Sequence, residues 1–297
     1  MNKTEITVDT PARVLQRTRG FGHGPITRLM SPSDLGKLLK PFVFLDLFTA
    51  GKSAINAMSN MPVHPHSGIA TVTVFTQGHM IYQYPSGETG QIGYGGTEWM
   101  MAGSGVWHGK EMVPGDVDAL QGFQLWLALP PELENSAPNG HFFEATEMAH
   151  AGPAHVILGH YQGVQSPLPA PEGINYLLVT LALGETWTYA PPSNHGPAWL
   201  ALATGELLTS EPIRAGEMVV FEAADAPVSF KATSTDGAVF VIGSAVSHPY
   251  PLHLGNYSVH TSAAALQAGE RQIALLGEKM RTEGNQKTSA GTTPVYQ

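Results

Sequence analysis

Two histidines flank a proline in 64-HPHSGIATVTVFTQG-78, at the head of a run that alternates like a β-strand. Successive strand side chains point to opposite faces, so His64 and His66 project to one side and Pro65 to the other. Proline is tolerated at the start or edge of a strand, which puts the pair where its strand enters a sheet. Two imidazoles side by side can share a metal ion or can hydrogen-bond at the strand mouth, and the spacing alone leaves both open. About one hairpin later, 95-GGTEWMMAGSGVWHGKEM-112 places His108 and Glu111 behind a glycine-punctuated turn. Three imidazoles and a carboxylate form a mixed nitrogen and oxygen donor set suited to iron, manganese, nickel, copper or zinc. On a metal that prefers six ligands, such a set leaves positions open for substrate or dioxygen.

The elements that must position these groups read as strands. Downstream of the pair, Ile69, Thr71, Thr73 and Phe75 share one face and Ala70, Val72 and Val74 the other, which predicts burial on both sides. Short apolar runs recur between turn residues: FVFLDLF, ATVTVFTQ, GFQLWLAL, AHVILGH, NYLLVTLAL, PAWLALAT, EMVVFEA and AVFVIGS. That rhythm predicts an all-β barrel or sandwich. PPELENSAPNG and VQSPLPAPEG, dense in loop formers, separate the runs into two groups, and TVFTQGHMIYQ parallels LALATGELLTS around Gly78 and Gly205, as a duplicated barrel would. The second half has no HxH pair, and its His195 reads as a solvent-facing loop residue. Helical spacing is confined to AAALQAGERQIALLGEKM, where Leu266, Ile273, Leu276 and Met280 share a face that Gly269 and Gly277 weaken. The polar tail TEGNQKTSAGTTPVYQ reads as mobile.

Composition narrows the function classes. With 297 residues the chain has room for two domains, each with its own core. A formal charge of −9, without a lysine or arginine cluster, argues against direct nucleic-acid binding. The absence of cysteine excludes disulfides, thiolate metal sites and cysteine nucleophiles. No apolar run is long enough to span a bilayer and MNKTEITVD lacks a signal-peptide core, so the expectation is a cytoplasmic protein without a membrane partner.

HPHSG, then TVTVFTQG, then WMMAGSGVWH with a nearby Glu-Met together resemble the pirin family, two-domain members of the cupin superfamily. GFGHGPITRLM followed by PFVFLDLF is similar to its N-terminal strands, and HPYPLHLGNYSVHTSAAALQAGE to the segment that closes its second domain, so the resemblance covers most of the chain. It implies an all-β bicupin of two cupin-type β-barrels with short helices near the C-terminus. We place a metal-bearing barrel in residues 1–135 and a barrel without metal ligands, plus the helical segment and tail, in residues 136–297.

The resemblance also implies one divalent transition metal, Fe(II) in first place, with Mn, Ni, Cu, Co or Zn as alternatives. Carried over position by position, His64 and His66 match the family's HxH pair and His108 its third histidine. Pirins usually place a glutamate two residues further on, where this chain has Lys110, and the glutamate is Glu111. Strand alternation would turn Glu111 away from His108, and a bulge at Gly109 would bring it back. The expectation is therefore that Glu111 is both fourth ligand and catalytic base, with Lys110 directed to solvent. A second departure is Ala70, at a position where most pirins carry a glutamate. Trp99, Trp107, Phe123 and Trp126 read as core filling before pocket lining, and Met100, Met101 and Met112 as packing.

Family members are associated with oxidative opening of flavonols such as quercetin, which implies a dioxygenase for a small planar chelating substrate. The competing expectation is a non-enzymatic metal- or redox-sensing protein that binds a transcription factor or a metabolic enzyme.

Overall fold

The computed structural model describes residues 13–58, 62–84, 86–109, 111–222 and 227–284. The expectations for the N-terminal stretch, Lys110 and most of the polar tail lie outside these residues.

Two antiparallel sheets dominate and share one spatial plan. The first runs Asn139–Phe143, Thr97–Met101, Ile69–Gln77, Ala119–Ala128, Phe42–Gly51, Ile26–Met30 and Phe21–His23. The second has the main path Val14–Thr18, Met218–Phe221, Trp199–Leu208, Ala238–Ala245, Ile174–Leu181, Ala154–Leu158 and His150–Ala151. Ile69–Gln77 and Trp199–Leu208 hold the same third place, as TVFTQG and LALATG suggested. Gly78 and Gly205 both have positive φ, at 76° and 87°. A side chain on either would strike a backbone carbonyl of the neighbouring segment, Ala119 or Gly237, so the same left-handed kink recurs, just past Ile69–Gln77 in one sheet and inside Trp199–Leu208 in the other. Each sheet is the broad wall of a cupin barrel. Shorter strands close them, Thr186–Tyr189 with Val228–Ala232 in the second and His79–Gln83 with Thr89–Gly93 and Met112–Pro114 in the first.

The alternation read along Ile69–Gln77 decides what each face touches. Ala70, Val72 and Val74 join Trp99, Phe123 and Leu125 in a core shared with Tyr176, Leu178, Trp199, Val220 and Val241, so this face joins the two barrels. Thr73 and Phe75 point the other way, into a cavity inside the first barrel.

The ends of the chain cross between the halves, which alters the expected membership of residues 1–135 and 136–297. Val14–Thr18 pairs with Met218–Phe221 and protects that edge of the second sheet, with Arg17 bound to Glu217 at 2.6 Å. Asn139–Phe143 pairs with Thr97–Met101 and protects the matching edge of the first, so that sheet ends beyond residue 135. The helix Ala263–Glu283 is capped by Ser262 and returns to the first barrel, where its Ile273 carbonyl accepts the Trp107 indole N–H at 2.9 Å. No helix among the described residues is long and apolar enough to cross a membrane.

Candidate metal centre

His64–His66 forms a two-stranded ribbon with Val106–His108 in the register His64 to His108, Pro65 to Trp107 and His66 to Val106. Pro65 costs no ladder bond on the free side of so short a ribbon. Trp107 faces the C-terminal helix, and the three histidines turn the other way. Their ring centroids are 4.9 Å (His64 to His66), 4.8 Å (His64 to His108) and 5.0 Å (His66 to His108) apart, a nearly equilateral triangle. One nitrogen of each ring lies within 4.8 Å of the others'.

The remaining nitrogens show which atoms are available. Nδ1 of His64 lies 3.2 Å from the Pro62 carbonyl, Nδ1 of His66 3.0 Å from the Tyr257 carbonyl, and Nδ1 of His108 2.7 Å from Glu111 Oε1. A carbonyl or carboxylate oxygen only accepts, so each Nδ1 carries the hydrogen, and in the neutral form of each ring Nε2 keeps its lone pair for a ligand. Nε2 of His66 and of His108 are buried without a hydrogen-bond partner among the described residues. Buried polar atoms are rarely left so, and this donor set fits a divalent transition metal. Burial, reinforced by the neighbouring His108 charge, pushes His64 down to about 4 and His66 well below its ordinary value. Both are neutral at pH 7.

Gly109 does take a positive φ, 123°, and the chain turns back so that Glu111 rejoins His108. The carboxylate meets that ring at Nδ1, while its other oxygen accepts the Gly109 amide at 2.7 Å. Glu111 thus groups with His108 and Glu98, while His108 also groups with His64 and His66. Burial favours the neutral acid, but the charge and hydrogen bond of His108 and the Gly109 amide outweigh it and hold Glu111 well below the usual carboxylate range. Burial likewise opposes a charged His108, and Glu111 overcomes it and raises that imidazole. Glu98 is pushed up to about 8 by burial and by the Glu111 charge, and accepts the Thr73 hydroxyl at 2.7 Å.

These groups open on the cavity inside the first barrel, of about 180 Å³. Ile26, Phe48, Phe75 and Leu120 give it an apolar side, and Asp46, Thr73, Glu98 and Gln124 a polar one.

Residues 25–127 match the Pirin family. Pirin-1 of Arabidopsis thaliana is 31% identical over 225 residues, covering 72% of this chain and 74% of that protein. The chain belongs to the pirin family. A pirin-like protein of Caulobacter vibrioides is 39% identical over 119 residues, which are 40% of this chain and 42% of that relative. Among solved structures, quercetin 2,3-dioxygenase from Acinetobacter baumannii aligns with a TM-score of 0.72 at 20% identity, covering 92% of this chain and 98% of that one. At that identity the likeness concerns the fold, two cupin barrels.

In this pirin Trp99, Trp107, Phe123 and Trp126 do not line the cavity, in keeping with their reading as packing residues. Trp99 and Phe123 fill the core between the barrels, and Trp107 lies under the helix. Trp126 stacks on Phe44 at 4.1 Å and meets the edge of His66 at 4.8 Å. Met100 and Met101 are core residues, and Met112 borders the cavity. His195 is not solvent-facing: the Gly196 amide ties its loop to the Ala245 carbonyl, and the half-buried ring meets Ser244 Oγ through Nδ1 at 2.8 Å. Sequence reasoning missed Glu98 and Asp46, although both carried a signal. Each is a single carboxylate in an otherwise apolar strand, TEWMM and FVFLDLF, at a position where alternation turns it into the barrel. Asp46 is neutralised there by Arg28, at 2.9 and 3.0 Å.

Proposed function

We propose that the first barrel holds one divalent transition metal on His64, His66 and His108, and that this pirin is a dioxygenase acting on a flavonol-type chelating substrate. The observation that carries the reading is the convergence of three imidazoles whose Nδ1 atoms are already engaged, two of them with buried Nε2 atoms that have no partner among the described residues. The name of the Acinetobacter structure supports the choice of reaction. When bound, the metal would supply Lewis acidity, lowering the pKa of a chelating hydroxyl and orienting the resulting anion.

The chain's own residues supply the rest. The Pro62 and Tyr257 carbonyls and the Glu111 carboxylate fix the three tautomers, as outer partners of ligating histidines do. We assign Glu111 to hold His108 in place of the fourth-ligand and base roles expected from the resemblance, since a carboxylate stabilised this strongly as an anion is a poor proton acceptor. His108 must release any proton on Nε2 before it can ligate, so metal uptake strengthens as pH rises through its raised pKa. Phe48, Phe75 and Leu120 offer an apolar wall to a planar ring.

The cavity size favours a second reading as well. At about 180 Å³ it is smaller than the roughly 300–1,000 Å³ usual for drug-sized ligands. It admits one ring of a flavonol, and a metal-sensing protein that binds a protein partner would need no more. Elemental analysis of protein purified without added metal, followed by anaerobic titration with quercetin and then admission of air, separates the two. We expect near-stoichiometric metal, a metal-dependent shift in flavonol absorbance and loss of flavonol once dioxygen enters. Stoichiometric metal with no effect on the flavonol supports the sensor. Failure to take up any divalent metal overturns both.

A further inference from the structure

We infer that a buried chain of side chains, Glu134–His260–Ser67, is a clasp that positions the metal ligand His66 by holding the C-terminal hairpin against it. The inference rests on the metal reading above for its purpose, and on separate contacts for its existence.

The acceptor that orients His66 is the carbonyl of Tyr257, between the short strands His253–Leu254 and Val259–His260. Tyr257 has φ of +62°, in the left-handed region. A residue with a Cβ enters that region only against steric repulsion from the neighbouring carbonyl, so the surroundings must impose it. Its ring stands 5.7 Å from His64 and 6.0 Å from His66, beside the histidine triangle.

What imposes the conformation lies immediately downstream. Ser258 Oγ is 2.9 Å from Ser67 Oγ, and Ser67, next to His66 in sequence, is also 2.9 Å from His260 Nε2. His260 Nδ1 is 3.1 Å from Glu134 Oε2, so it carries the hydrogen. The same Glu134 accepts the Thr261 amide at 2.7 Å and the Thr261 hydroxyl at 2.6 Å. Ser67, Ser258, His260 and Glu134 are all buried. One carboxylate from the loop between Ala119–Ala128 and Asn139–Phe143 thereby fixes the strand that ends the hairpin, and the hairpin presents the Tyr257 carbonyl to His66.

The order serine, histidine, carboxylate is that of a hydrolytic triad, but this serine is closed to substrate. Helix residue Gly269 lies directly over it: a Cβ there would come within 2.4 Å of Ser67 Oγ and 2.6 Å of His260 Nε2. The close approach that makes glycine necessary in the middle of the helix also seals the clasp. Its polar atoms are spent on one another, so its role is mechanical.

The test compares the wild-type full-length chain with Glu134→Gln, which keeps the side-chain size and removes the charge. Imidazole nitrogen NMR on metal-free protein reads the His66 tautomer, and Co(II) titration reads affinity, both well below the thermal midpoint. We expect Nδ1–H alone in the wild type, mixed tautomers in Glu134→Gln, and Co(II) binding weakened about tenfold, the low end for outer partners of a ligating histidine. A variant that melts earlier but keeps the wild-type tautomer and affinity overturns the clasp. Wild-type protein that binds no Co(II) refutes the metal reading instead, and the tautomer then decides the clasp alone. Should Glu134→Gln fail to fold, Ser258→Ala carries the same two measurements with the same expected direction.

Discussion

The two barrels share a strand order and differ in what they turn inward. In the second, Leu177, Val179, Trp187, Phe221, Phe230 and Phe240 fill the interior, with Phe230 5.7 Å from Phe221 and 5.6 Å from Phe240. In the first, the corresponding space is a cavity bordered by Thr73, Glu98, Glu111 and two of the three histidines. The entrances differ in the same sense. His66 stands three residues before Ile69 and keeps a buried ring nitrogen without a hydrogen-bond partner among the described residues. His195 stands four residues before Trp199, the matching strand, and already bonds to Ser244, which also meets Tyr189 at 2.7 Å. A duplicated scaffold has thus separated two tasks. One copy secures stability through dense packing, and the other tolerates polar burial and empty space beside its histidines.

The largest expected effect breaks the packed copy. Phe230→Ala should cost about 3–5 kcal/mol in urea unfolding, because a fully buried ring leaves a cavity that its neighbours cannot refill. Metal bound per folded molecule should stay unchanged. A loss of metal in that variant at full folding would mean that the barrels do not divide the tasks.

The converse variant, His66→Ala, should abolish stoichiometric metal in elemental analysis at a stability cost of only about 1 kcal/mol, since an already folded barrel carries the site. His64→Ala should behave alike. Metal retained by both would remove the site from the first barrel.

Glu111→Gln sharpens the comparison within the site. By weakening the hold on His108 Nδ1 it should reduce metal affinity roughly 10–100-fold without abolishing binding. Affinity unchanged in a competition titration would show that His108 needs no oriented carboxylate.

The last expectation concerns the pH profile. Glu98 stays protonated in the fold up to about 8, against an ordinary value of 4.5, so across that window the folded state binds more protons than the unfolded one. Stability from this group is complete below pH 4.5, declines as pH rises and levels off above about 8. Glu98→Gln should flatten that decline in metal-free protein. An unaltered slope in denaturant titrations between pH 5 and 8 would show that Glu98 ionises normally.

Local pattern was sufficient for much of this. Alternation and turn residues carried the all-β fold, the repeat around Gly78 and Gly205 carried the duplication, and the HxH spacing with His108 carried the triangle. In each case neighbours in sequence point in directions that backbone geometry dictates. Glu111 shows where that stops. Its return to His108 was legible from Gly109, but which imidazole nitrogen it meets depends on how the ring rotates between Glu111 and the other histidines. The exchange of chain ends between barrels, the Tyr257 carbonyl on His66 and the union of Ser67, Glu134 and His260 had no signal in local spacing. His66 and Tyr257 are 191 residues apart, and Glu134 and His260 are 126. Sequence therefore determined the strands and the side each of these histidines faces, because those follow from short-range sterics. Only the tertiary structure decided which distant carbonyls and carboxylates hold those imidazoles, because such partners meet through the packing of the barrels and the helix that returns to them.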